Sequence, residues 1–133
     1  MSRVHFSVAK FKAIEVRGDS MSPNYNDGDW LLFRLLPAKS KSDKLVGKLV
    51  GKLVGKVVLI QRHSEIGKDF LQVKRVTQVS DSSGSSKSSD AIKNEIWVEG
   101  DNKSASTDSR SWGALDANEV LGKLIFRYRR ARK

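Results

Sequence analysis

Phe70-Leu71-Gln72-Val73-Lys74-Arg75-Val76 is the stretch that decides the fold class. Along an extended strand, successive side chains point to opposite faces. Phe70, Gln72, Lys74 and Val76 would therefore share one face, with Leu71, Val73 and Arg75 on the other. The run reads as a strand with a lysine set among apolar neighbours on both sides. Working outward, Phe11–Val16, Trp30–Phe33, Val57–Gln61, Glu95–Val98 and Val120–Tyr128 have the same character. Turn chemistry separates them, as at Gly18-Asp19 and across Asn24-Tyr25-Asn26-Asp27-Gly28-Asp29. No segment offers a long helical stripe with clear caps. The expectation is a mainly β chain, a single domain of twisted antiparallel sheets over residues 1–133, a length that suits one domain.

Two stretches read as insertions and one as a tail. Residues 80–90 are dominated by serine and should form a solvated loop between two strands. Residues 44–55 repeat Lys-Leu-Val-Gly three times, and an imperfect fourth copy starts at Lys56. A glycine in every turn costs about 1 kcal/mol each against alanine, which argues against a helix there. The repeat is read as a loop lengthened by expansion. Residues 127–133 form a basic ending.

Composition excludes several chemistries. The chain has no cysteine, so disulfides, thiolate catalysis and thiolate zinc sites are ruled out. His5 and His63 lack metal-ligand spacing, His63-Ser64 reads as a polar turn, and neither a metal nor a cofactor is expected. The longest apolar runs, Trp30–Phe33 and Val57–Ile60, fall far short of the roughly 18–20 residues that span a bilayer. Residues 1–12 lack the apolar core of a secretory signal, so a soluble cytoplasmic protein is expected, with peripheral membrane contact as the alternative. The net charge of +10 suits solubility first, anionic lipid or acidic substrate next. No specific nucleic-acid binding is expected, because no recognition motif accompanies the charge.

Ser20 and Lys74 are the one credible pairing of nucleophile and base. A serine hydroxyl needs an adjacent base to attack a carbonyl. Lysine serves if it is neutral, which burial away from water promotes. Lowering its pKa from about 10.4 to about 8 costs roughly 3 kcal/mol, which a packed domain can bear.

Three segments then come together: Gly18-Asp19-Ser20-Met21-Ser22-Pro23, Val73-Lys74-Arg75-Val76, and Gly100-Asp101-Asn102 through Ser106-Thr107-Asp108-Ser109-Arg110-Ser111-Trp112-Gly113. In this order they resemble the boxes of the type I signal peptidase family, which uses a serine–lysine dyad. The resemblance runs from about Ile14 to Phe126. The serine box is shared with self-cleaving LexA-like repressors, whereas the third box is characteristic of the peptidases. The resemblance implies a signal peptidase/LexA-type catalytic core. In it Ser20 forms the acyl-enzyme and Lys74 takes its proton. Ser106 orients the lysine, and Asp108 and Arg110 form a structural ion pair. Met21, Pro23, Arg75, Gly100, Asp101 and Asn102 support the site. Ile14, Glu15 and Val16 on one side, and Leu71, Gln72 and Val73 on the other, would clasp an extended substrate cut after small residues.

Two departures from the family pattern stand out. Gly18 occupies a position where some members place a hydroxyl residue, and no membrane-spanning segment precedes Ser20. The first removes a side-chain donor to the oxyanion; the second, with the chain length and the ending Val120–Tyr128, resembles the short soluble branch, such as the proteases maturing nickel superoxide dismutase. The implied partner is a precursor protein with an N-terminal extension. A LexA-like self-cleaving regulator is the main rival, but no Ala-Gly or Cys-Gly cleavage dipeptide occurs in the chain. A catalytically idle peptide-binding module is the other alternative.

Overall fold

The computed structural model describes residues 3–8, 10–36, 51–63, 69–81 and 94–130. Among these residues eight strands form one sheet: β1 (Arg3–Val8), β2 (Phe11–Glu15), β3 (Trp30–Leu35), β4 (Val57–His63), β5 (Asp69–Asp81), β6 (Asn94–Glu99), β7 (Leu115–Asp116) and β8 (Val120–Arg129). Their order is β1-β2-β3-β8-β4-β5-β6-β7, and every pairing is antiparallel. The protein is mainly β, as its alternating runs require.

β4 explains how one sheet encloses two cores. Val57 and Leu59 pack with Ile14, Val16, Met21, Leu31, Phe33 and Val73. Val58 and Ile60, on the other face, pack with Leu53, Val76, Ile96, Val98, Leu115 and Val120. A strand covered on both faces needs a continuous apolar run, and Val57–Ile60 is one. Each fully buried aliphatic side chain contributes on the order of 1.5–3 kcal/mol.

The structure corrects several boundaries. β1 was not among the expected strands, although Val4, Phe6 and Val8 alternate along it, and it pairs with β2. β5 continues through Ser80 to Asp81, paired with β6, so the serine-rich loop starts later; the rest of it lies outside the described residues. His63 closes β4 rather than opening a turn. Arg127, Tyr128 and Arg129 belong to β8, so the basic ending is strand up to Arg129. Within the repeat, residues 44–50 lie outside the described residues, but the third copy packs inward: Leu53 is buried in the second core. Gly55 N–H donates to the Val76 carbonyl at 2.8 Å, tying that copy to β5.

Candidate active site

Lys74 sits where β5 changes from an open edge to a paired one. β6 pairs with β5 from Arg75 onward, opposite Glu99, and the edge from Asp69 to Lys74 has no strand beside it among the described residues. Gly100 follows directly after β6, level with this junction. A side chain at Gly100 would run into the Ser106 side chain and the Ser20 carbonyl. That crowding is why a glycine is required, and it brings three segments to one point. The Asn102 N–H fixes the arrangement by donating to the Ser20 carbonyl at 2.9 Å.

Lys74 is 3 % exposed. Its Nζ donates to Ser106 Oγ at 3.0 Å, and Ser106 Oγ donates to Asp108 Oδ2 at 2.7 Å. No hydrogen bond joins Nζ to Ser20 Oγ among the described contacts, although Ser20 and Lys74 line the same cleft. Burial lowers the lysine pKa below its ordinary value. The Asp108 carboxylate opposes that shift, and the Arg110 guanidinium reinforces it. Desolvation thus wins over attraction, which favours the neutral form of the amine.

Asp108 holds the third segment in place. Its carboxylate accepts from the Gly100 N–H at 2.9 Å, the Arg110 N–H at 3.1 Å and Arg110 Nε at 2.9 Å. It also caps the short helix Ser109–Trp112. Burial would raise its pKa, but the bonds from Arg110, Gly100 and Ser106 outweigh burial and hold it far below the usual carboxylate range. Asp108 therefore stays charged.

Asp101 pins the serine turn to β5. Arg75 Nε and Nη2 grip its carboxylate at 2.8 and 2.9 Å, and Asn24 Nδ2 donates to Oδ2 at 2.8 Å. The Asp101 N–H donates to Sδ of Met21, which is fully buried. Pro23 is exposed on the turn, and its carbonyl accepts from Asn26 Nδ2 at 3.3 Å. Gly18, with φ of +86°, starts the turn in a conformation that disfavours a side chain, and its N–H donates to Asp27 Oδ1. A hydroxyl residue there would strain the backbone.

A family model described as signal peptidase, peptidase S26, matches residues 38–129, more than half of the chain. The chain belongs to the signal peptidase family. No curated protein matches it significantly. The peptidase S26 match includes Lys74, Ser106, Asp108 and Arg110 but begins after Ser20, so the place of Ser20 rests on its motif and its position in the cleft. Members of this family are serine peptidases that process precursor proteins.

The residues expected to clasp a substrate in this signal peptidase relative fall into two groups. Val16, Leu71, Gln72 and Val73 line the cleft with Ser20, Met21 and Lys74. Ile14 and Glu15 do not: β1 pairs with one edge of both and β3 with the other, so their backbone is already engaged. Arg17 takes their place at the cleft wall and pairs with Glu15 at 2.9 Å. Sequence reasoning missed Arg17, Asn24 and Gly55, whose carbonyl accepts from Arg75 Nη1 at 2.8 Å. Nothing in the composition of their turn marked Arg17 or Asn24, and Gly55 lay hidden in the repeat. No helix among the described residues is long and apolar enough to cross a membrane.

Proposed function

We propose that this protein is an endopeptidase in which Ser20 attacks the scissile carbonyl and Lys74, as a neutral amine, accepts the serine proton. The observation that carries this reading is the buried Lys74, hydrogen-bonded to Ser106 in a cleft shared with Ser20. Ser106 positions the amine by accepting a hydrogen bond from Nζ while donating its own to the charged Asp108, which leaves the Nζ lone pair free to face Ser20. After attack, the Ser20 N–H is one donor to the oxyanion. The lysinium then returns its proton to the leaving amine, and the neutral amine activates water to release the acyl group.

The open edge of β5 from Asp69 to Lys74 supports binding of an extended peptide by strand addition. Gln72 Oε1 is buried without a hydrogen-bond partner among the described residues, an acceptor that a bound peptide can satisfy. The cleft encloses about 70 Å³, which favours a small side chain before the cut. The substrate on this reading is a precursor with an N-terminal extension. The short soluble branch of the family points to a metalloenzyme precursor of the nickel superoxide dismutase kind.

Mass-spectrometric mapping of cuts in a mixed peptide library tests this. Cleavage after small residues that rises with pH, and disappears in both Ser20→Ala and Lys74→Ala, is the expected result. Cleavage that survives both substitutions would refute the site.

A further inference from the structure

β8 has a second open edge, away from the cleft. β4 pairs with β8 only across Val120 to Lys123. β3 covers the opposite edge as far as Arg129. From Leu124 to Arg129, one edge of the strand thus has no backbone partner among the described residues. Among the described residues just before β4, Gly55 and Lys56 bond to Val76 on β5 and not to this edge. Here the large apolar side chains come to the surface: Ile125 is 43 % exposed, Phe126 50 % and Tyr128 39 %.

The charge at this edge has one sign. Arg127 is engaged, donating to the Asn24 carbonyl at 2.9 Å and to Asp29 at 3.2 Å. Arg129 and Arg130 are exposed, and no carboxylate pairs with either among the described residues. Together with Tyr25, Ile125, Phe126 and Tyr128 they border a groove along the strand. The groove and the cleft share no lining residue.

We propose that this edge is a second binding site, which takes an extended acidic peptide segment as an added strand. Backbone pairing with Leu124–Arg129 would satisfy the free edge, and acidic side chains would meet Arg129 and Arg130. A lipid surface fits less well, because hydrocarbon would leave the free N–H and C=O groups of the edge without partners. A second copy fits less well too, since each copy brings a net charge of +10.

The test uses the full chain with Ser20→Ala, so that binding is read without cleavage. The probe is a fluorescent peptide alternating glutamate and valine, followed by anisotropy, with hydrogen exchange locating the contact. Expected are saturable binding, protection of alternate amides between Leu124 and Arg129, and loss of binding when prolines interrupt the peptide. Arg129→Glu with Arg130→Glu should weaken binding at least about tenfold, a difference of about 1.4 kcal/mol. The milder pair Arg129→Gln and Arg130→Gln should weaken it less while keeping the wild-type thermal midpoint. Equal binding of the proline-interrupted peptide would overturn the proposal, as attraction by charge alone. So would protection confined to Leu71–Lys74, preferential binding of phosphatidylserine vesicles through the same arginines, or self-association abolished by the double substitution. Failure of the cleft chemistry would leave all of these readings unchanged.

Discussion

At the residue scale, Lys74 combines a structural penalty with a chemical asset. Its pKa is lowered, foremost by burial, from an ordinary value of 10.5. Protonated and buried, it destabilises the fold at pH below its folded pKa. Between that pKa and 10.5, the unfolded chain binds the extra proton, so stability rises with pH through this window. Lys74→Met should therefore abolish cleavage while leaving urea stability at neutral pH unchanged or increased. In wild type the rate should climb as pH passes the lowered Lys74 pKa, and a flat profile would remove the lysine from the mechanism. Gly100→Ala makes the opposite prediction. The added carbon meets Ser106 and the Ser20 carbonyl, so activity should fall together with about 1–3 kcal/mol of stability in urea unfolding. Ser20, Lys74, Ser106 and Asp108 could be named from the sequence because they lie in compact boxes. Arg17 and Asn24 could not, because nothing in a turn's composition says which strand it will meet.

At the element scale, β5 and the repeat are the instructive cases. The alternation in Phe70–Val76 made β5 legible, but its length was not, since Ser80 and Asp81 are held by pairing with β6 and not by propensity. The repeat looks uniform in sequence, yet its third copy differs from the others by adjoining β4. That places Leu53 over Val58 and Ile60 in the core. Deleting residues 44–51 should keep both folding and cleavage, because Lys52-Leu53-Val54-Gly55 remains to make these contacts. By contrast Leu53→Ala should lower stability by about 2–5 kcal/mol, read from the urea midpoint. Equal loss in both variants would mean the earlier copies also carry core contacts.

At the scale of the whole molecule, two buried or half-buried carboxylates bind the segments together. Asp101 is held below its ordinary pKa first by Arg75, against the effect of burial and with help from Asn24. Asp108 is lower still, because the bonds from Arg110, Gly100 and Ser106 outweigh its burial. Both pKa values are depressed, so their stabilisation is complete above the unfolded value of 3.8 and is lost as pH falls below it. Acid unfolding followed by circular dichroism should accordingly begin below about pH 4. Asp108→Ala should cost about 3 kcal/mol or more and flatten part of that acid transition. The sequence by itself determined that the chain is built of strands, that disulfide and thiolate chemistry have no place, and which residues form the boxes. These are local properties, set by alternation, composition and spacing. Only the tertiary structure decided which strand edges stay open, that Ile14 and Glu15 are enclosed between β1 and β3, and that Lys74 is buried against Ser106. Those facts depend on which distant segments become neighbours, and backbone groups far apart in sequence settle that by competing for one another's hydrogen bonds.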